Sequence, residues 1–379
     1  MSKDVTATSI GVLGGGQLGR MMIQSGMDFN LDIAVMDPDP TAPCSTLVRE
    51  FVSAKLTDAD AVYDFGKDKD LITIEIENVS TEGLKRLKAE GKKVYPQPEI
   101  IELIQDKRKQ KTFYKANRIP TADFILTENR EEVKKHASFL PSVNKLGKEG
   151  YDGRGVQILK KESDLEKAFD KPGLLEELID FEKELSVIVA RNEKGEVTTF
   201  PVVELSFHPT ANLVEFLFSP ADIDPDIEKK AGKLAIDVIE KLDMVGLLAV
   251  ELFLTKEGEL LVNEIAPRTH NSGHHTIEAN VTSQFEQHLR AILNLPLGNT
   301  EILIPAAMVN LLGEDGFTGE ARYEGLDKVL SRRGVHIHLY GKKLTKPFRK
   351  MGHVTITHED MATLKKEAKE IKELLKVKA

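Results

Sequence analysis

Two carboxylates, Glu251 and Glu264, each interrupt an apolar run, Val245 to Leu254 and Leu260 to Ile265. The turn Lys256-Glu257-Gly258 between the runs predicts a β-hairpin. Strand alternation turns Glu251 away from its apolar neighbours Val250 and Leu252. Two strands that each present a carboxylate suit a hard dication such as Mg2+, which takes oxygen ligands and completes its shell with water and phosphate oxygens. The plainer reading is that both lie on the wet face of an antiparallel sheet. The residues that follow, Ala266 to His275, favour the metal: they include Arg268, Asn271, Ser272 and three histidines, His270, His274 and His275, with Pro267 and Gly273 to shape the backbone. A loop so rich in ligating and ion-pairing groups points to a metal and anion site.

Three further stretches could meet phosphate. Lys145 to Gly155 carries glycines at 147, 150, 153 and 155, with Lys145 at its base and Arg154 at its tip. Exposed backbone and two cations there could engage phosphate, although the GxxxxGK[ST] pattern is absent and a surface hairpin is the alternative. Gly14, Gly16 and Gly19 satisfy GxGxxG between a strand at Ile10 to Leu13 and a helix, with Asp37 where a ribose-binding acid is expected. That pattern fits NAD or FAD, or a Rossmann-like turn put to another use. Gly341-Lys342-Lys343 and Arg349-Lys350 are basic turns able to hold a phosphate or to lie on the surface. Lys107, Arg108, Lys109, Lys111 and Lys115 on one helix read mainly as a solvated face.

The elements that position these residues fall into three groups. Strands alternate with helices up to Pro96 and Pro98, which predicts a parallel sheet over residues 1–105. A second domain is expected over 106–295, with strands at Ser142 to Leu146, Gly173 to Leu178, Leu185 to Ala190 and Thr199 to Val203. Helices are expected at Pro225 to Leu242 and Asn280 to Leu293. The strand end at Glu176-Glu177 reads as an interdomain connection whose backbone could pair with an adenine edge. Residues 296–379 form a small β-rich domain ending in a Lys/Glu-rich helix. The chain of 379 residues is 41% hydrophobic and 30% charged, an ordinary globular composition. Its net charge of −9 argues against nucleic-acid or membrane-surface binding. One cysteine, Cys44, suits a reducing cytoplasm, the opening residues are too polar for a signal peptide, and the apolar runs are too short to span a bilayer.

The motifs GGGQLGRMM at Gly14 to Met22, EIENV at Glu75 to Val79, GYDGRG at Gly150 to Gly155, NEIAPRTHNSGHH at Asn263 to His275 and KMGH at Lys350 to His353 together resemble the N5-carboxyaminoimidazole ribonucleotide synthase family of ATP-grasp enzymes. Lys148-Glu149 departs from a second glycine common there. The resemblance implies an ATP-grasp fold, mixing α/β and α+β layers, preceded by a Rossmann-like parallel-sheet domain and followed by a small β-rich domain. It implies that the first domain binds no dinucleotide. The implied reaction is ATP- and bicarbonate-dependent carboxylation of 5-aminoimidazole ribonucleotide through carboxyphosphate, with Mg2+ (for which Mn2+ could substitute), in purine biosynthesis.

By position, Lys107 and Lys145 would contact ATP phosphates under the loop Gly150, Tyr151, Asp152, Gly153, Arg154, Gly155 and Gln157. Glu176, Glu177, Leu178 and Ile179 would border adenine, Glu184 would take the ribose, His208 would complete the pocket, and Asn263 would stand beside the metal ligands Glu251 and Glu264. Arg268, Lys145, Tyr151, Asp152 and His270 would serve catalysis, with His274 and His275 also open as bases. Gln17, Leu18, Glu75, Tyr151, Asp152, Arg154, His270, Asn271 and Ser272 would face the ribonucleotide, and Lys342 and Arg349 its phosphate. Whether carboxyphosphate or CO2 carboxylates the amine stays open. A cytoplasmic homodimer, handing its product to a mutase, completes the expectation. A formate-using relative of the same plan, an NAD(P)-dependent oxidoreductase built on Gly14 to Gly19, and a non-catalytic nucleotide-binding module are the competing readings.

Overall fold

The structure, a computed structural model, describes residues 5–148, 150, 155–208 and 213–379. The expected parallel sheet is present, with strands in the order Phe51–Val52, Asp32–Met36, Ser9–Leu13, Leu71–Ile74 and Lys93–Val94. The helix after the Gly-rich turn, expected over Met21 to Met27, runs Gln17–Asp28 and buries Leu18, Met21 and Met22. These pack with Phe285, Leu289 and Ile292 of helix Gln284–Ile292 and with Tyr340 near the C-terminal strands. Three parts of the chain therefore meet at this helix, which fixes the Gly-rich turn against both neighbours.

A second, four-stranded antiparallel sheet runs Phe124–Thr127, Gly173–Glu177, Ser142–Leu146 and Val156–Leu159. A nine-stranded sheet carries the rest, in the order Leu260–Ala266, Gly246–Thr255, Phe181–Arg191, Val203–Phe207, Val214–Ser219, Ala306–Leu312, Lys350–Thr357 and Val335–Leu339, with Val197–Thr199 alongside Phe181–Arg191. The pairing of Val214–Ser219 with Ala306–Leu312 carries this sheet from the middle of the chain into its C-terminal part without a break. The strands expected after residue 295 thus extend this sheet. Strand Val214–Ser219, which makes that join, has no clean alternation to announce it. Its burial rises along the strand from half-buried to buried.

Helix Pro225–Lys241 has proline at its first position and Asp224 as its cap, accepting the Asp226 N–H at 2.8 Å. Its face of Ala231, Ala235, Val238 and Ile239 covers Leu185, Val187, Val250, Leu252 and Val262 of the large sheet. That layer buries one face of the strands and leaves the other, carrying Glu251 and Glu264, to the cleft. The helix expected from Asn280 begins at Gln284 because Ser283 caps it, accepting the Glu286 N–H at 3.1 Å, while Asn280 bridges Ile302. No helix among the described residues is long and apolar enough to cross a membrane.

Candidate active site

The hairpin forms as expected, Thr255 Oγ1 accepting the N–H groups of Glu257 and Glu259 in its turn. Glu251 and Glu264 stand opposite each other, and the register then slips so that Leu252 pairs with Val262. This β-bulge leaves Asn263 as the extra residue. Both Asn263 and Glu264 reach cleft lysines: Lys145 Nζ donates to Asn263 Oδ1 at 3.2 Å and Lys107 Nζ to Glu264. Burial pushes the Glu251 carboxyl up to about 8, aided by the like charges of Glu264 and Glu184. Enclosure would raise Glu264 as well, but the ammonium groups of Lys107 and Lys145 outweigh it and hold it below the ordinary range. Two opposed carboxylates with an amide oxygen form an all-oxygen donor set that fits Mg2+. No cluster of three or more His, Cys, Asp or Glu suited to a metal exists among the described residues, so phosphate oxygens and water would complete the shell.

Above the hairpin, Glu176 at the end of its strand is buried, one oxygen on Lys111 Nζ and the other on Lys145 Nζ. Lys107 and Lys111 are one turn apart on helix Lys107–Ala116 and enter the cleft together, whereas Lys109 stays 53% exposed. The solvated-face expectation therefore fails for two of these lysines: Lys111 is 3% exposed. Leu178 and Ile179, half-buried, and exposed Glu177 connect the two sheets. Glu184 lies a few residues beyond this connection, its carboxyl pushed up to about 7 by burial. The backbone N–H of His208 donates to Leu213 at 2.8 Å, and its ring meets Phe348 edge-on at 5.6 Å. Gln157 pairs with Asn144 across the hairpin, and Gly155 packs against Gly150 at its neck. Tyr151, Asp152, Gly153 and Arg154 lie outside the described residues.

Of the three loop histidines, only His270 opens toward the carboxylates, its Nε2 3.7 Å from Glu251 Oε1. Gln284 clamps the His270 backbone from both sides, accepting its N–H at 2.8 Å and donating to its carbonyl at 2.7 Å. Ser272 presents its N–H to His270 Nδ1 at 3.4 Å, with its hydroxyl 2.9 Å from the same nitrogen. A nitrogen that accepts these leaves Nε2 as the protonated one. Burial, with Arg268 and Lys350, holds His270 well below the usual imidazole range, so the ring is neutral.

His274 and His275 are buried at 1% and 2% exposure, His274 stacked on His353 at 4.6 Å, which removes both as bases. Asn271 and Ser272, expected to face substrate, are turned inward. Asn271 exchanges two hydrogen bonds of 2.9 Å with Asn310, and buried Ser272 meets Ser186 Oγ at 2.8 Å. Arg268 is anchored by Glu77, Nε to Oε1 at 2.8 Å.

Glu75 settles the Gly-rich turn. Its Oε1 accepts the Leu18 N–H at 3.2 Å, and a Cβ on Gly16 would fall 2.4 Å from the same oxygen. The amides that would cradle a pyrophosphate face a protein carboxylate instead. Asp37, the expected ribose acid, is occupied by the Gly15 N–H at 2.7 Å and the Asp39 N–H at 2.8 Å. The dinucleotide reading is overturned by these contacts. Lys342 Nζ donates to Gln17 Oε1 at 2.9 Å and to the Lys350 carbonyl at 2.8 Å, bringing the C-terminal basic turn onto the first helix. Arg349 Nη1 donates to the Leu344 carbonyl at 2.7 Å and its charge reaches Asp39. Two contributors were given no role in the cleft by the sequence reading. Glu77 lies inside the EIENV stretch, so that motif held a signal, while Lys111 had only its four-residue spacing from Lys107.

Known proteins match this arrangement along the whole chain. Residues 7–105 match the ribonucleotide synthetase preATP-grasp domain, residues 112–285 the ATP-grasp domain, and residues 306–367 the phosphoribosylaminoimidazole carboxylase C-terminal domain. N5-carboxyaminoimidazole ribonucleotide synthase of Bacillus subtilis is 38% identical over 364 residues, 94% of this chain and 93% of that protein. The crystal structure of N5-carboxyaminoimidazole ribonucleotide synthetase from Thermotoga maritima superposes with a TM-score of 0.91 at 45% identity, covering 98% of this chain and 99% of that one. The synthase from Aspergillus clavatus, solved with ADP and 5-aminoimidazole ribonucleotide, gives a TM-score of 0.89 at 32% identity, covering 97% and 98%. With this identity over nearly its full length, the chain belongs to the N5-carboxyaminoimidazole ribonucleotide synthase family of ATP-grasp ligases.

Proposed function

We propose that the cleft carboxylates 5-aminoimidazole ribonucleotide at its exocyclic amine, using ATP and bicarbonate and releasing ADP and phosphate, a step of purine biosynthesis. The observation that carries this reading is that opposed Glu251 and Glu264 meet Lys107 and His270, with Lys145 on the adjoining Asn263 and the Arg268 charge felt at His270. ATP lies between the two antiparallel sheets, its adenine on the 176–179 connection and its ribose at Glu184. Its phosphates lie on Lys107 and Lys145, which leave their carboxylate partners for the stronger anion. A divalent cation held by Glu251 and Glu264, with Asn263 beside it, would neutralise charge on the phosphoryl oxygens.

The reaction needs no protein nucleophile. A bicarbonate oxygen attacks the γ-phosphorus, the bond to the β-phosphate oxygen breaks, and ADP leaves carboxyphosphate behind. The amine nitrogen then forms its bond to the carboxyl carbon as phosphate departs and takes the amine proton. Arg268, held by Glu77, turns its guanidinium to the bicarbonate or carboxyphosphate oxygens. Neutral His270, with its proton on Nε2, acts as a donor to a developing oxyanion. The ribonucleotide sits against Gln17 and Leu18 of the first helix, with its phosphate on Lys342 and Arg349. A homodimer follows from the family resemblance and is checked by the mass in light scattering.

The test is donor choice: bicarbonate is expected to support ribonucleotide-dependent ADP release and formate is not. ADP release with formate alone would move the chain to the formate-using chemistry.

A further inference from the structure

Lys111 belongs to a closed ring of polar contacts that nothing in the phosphate-binding scheme requires. Its ammonium reaches Glu176 Oε1 and Thr121 Oγ1. Thr121 Oγ1 donates to the Val262 carbonyl at 2.7 Å, and the Val262 N–H donates back to the Pro120 carbonyl at 2.8 Å. Glu176 Oε2 holds Lys145, and Lys145 returns to Asn263 beside Val262. The ring thus joins the helix Lys107–Ala116, the four-stranded sheet and the bulge that carries Glu264. Lys111 and Glu176 side chains are both 4% exposed, so water screens neither.

Charge decides what this ring does. Glu176 is one buried carboxylate between two ammonium groups. With Lys111 present, one cation neutralises Glu176 and the charge of Lys145 remains for a polyphosphate. Without Lys111, Glu176 would have Lys145 as its cation, and a buried carboxylate left with one partner holds it strongly. We infer that Lys111 is a positioning residue for the nucleotide: by neutralising Glu176, it keeps Lys145 available to the ATP phosphates. The inference rests on the nucleotide reading of the cleft given above.

The test compares ATP, ADP and adenosine binding by calorimetry to wild type, Lys111→Met, Glu176→Gln and the double variant Lys111→Met/Glu176→Gln. Lys111→Met is expected to weaken ATP and ADP at least tenfold, leave adenosine within about threefold, and raise the KM for ATP without raising that for the ribonucleotide. The double variant, which removes the carboxylate that captures Lys145, is expected to recover ATP affinity to within about threefold of Glu176→Gln alone, the reference that carries the same change beside adenine. A merely structural role would lower the melting temperature and show no recovery, since the second change deletes another partner. Lys111→Gln, which keeps a group able to bond Thr121, gives the same reading if the methionine variant does not fold. Nucleotide affinity within threefold of wild type in the single variant, or no recovery in the double, overturns the inference. Failure of wild type itself to bind ATP would instead remove the nucleotide reading on which it rests.

Discussion

Glu264 and Lys107 face each other across the cleft, and the proposed chemistry needs both for other partners. The pair explains why Glu264 stays ionised while its neighbour Glu251 is pushed up to about 8. Removing the ionised member leaves the dication one ligand, so Glu264→Ala is expected to lower kcat/KM on the order of 10²-fold or more, checked by steady-state ADP release across a Mg2+ titration. Glu75 supports a stability test. Burial raises its carboxyl from 4.5 to about 7, against the pull of Arg268, the Leu18 N–H and Lys342. The folded state then binds more protons than the unfolded one between those values, so the contribution to stability falls as pH rises through that window. The loss amounts to about 3 kcal/mol at most. Glu75→Gln keeps the acceptor for Leu18 and is expected to melt several degrees higher relative to wild type at pH 8 than at pH 5. Equal differences at the two pH values in a melting series would show that Glu75 does not titrate there.

At the level of elements, the loop after the hairpin depends on Gly273. A Cβ at this position would lie 2.3 Å from Ile188 Cδ1 and 2.5 Å from Gln284 Cδ, and Gln284 is the residue that clamps His270. Gly273→Ala is expected to cost about 1–3 kcal/mol and to lower kcat as His270 shifts, with thermal melts and turnover read together. Full activity at unchanged melting temperature would show that the loop absorbs the methyl group. Much of this element was legible in the chain: the hairpin, a carboxylate on each strand and the ligand-rich loop follow from period-two alternation and turn chemistry. What alternation cannot carry is register. The bulge at Asn263 and the inward turn of Asn271 and Ser272 depend on partners far away in sequence, Lys145, Asn310 and Ser186. Lys111 was hidden for a similar reason, since a lysine on a basic helix looks solvated until the buried carboxylate that faces it is known. The Gly-rich turn misleads in isolation because Glu75, some sixty residues later, occupies the space a dinucleotide would need.

Across the whole molecule, the site is assembled from three parts of the chain that meet on the helix Gln17–Asp28. The Lys342–Gln17 contact closes the end of the cleft proposed for the ribonucleotide, from residues more than three hundred positions apart. A charge-assisted contact to phosphate contributes about 1.5–3 kcal/mol. Lys342→Met is therefore expected to raise the KM for the ribonucleotide by roughly 10- to 100-fold, with the KM for ATP little changed. A rise confined to ATP would reverse the assignment of the two ends. The sheet that continues from the grasp strands into Ala306–Leu312 ties this closure to the cleft, because the strand carrying Lys350 pairs directly with that extension. The carboxylation itself is tested most directly by following ¹³C from labelled bicarbonate with MgATP, with and without 5-aminoimidazole ribonucleotide, in wild type and Glu264→Ala. Label in a carbamate of the ribonucleotide, formed with stoichiometric ADP in wild type and lost in the variant, is the expected result. ADP release without labelled carbamate, or label undiminished in Glu264→Ala, would contradict it.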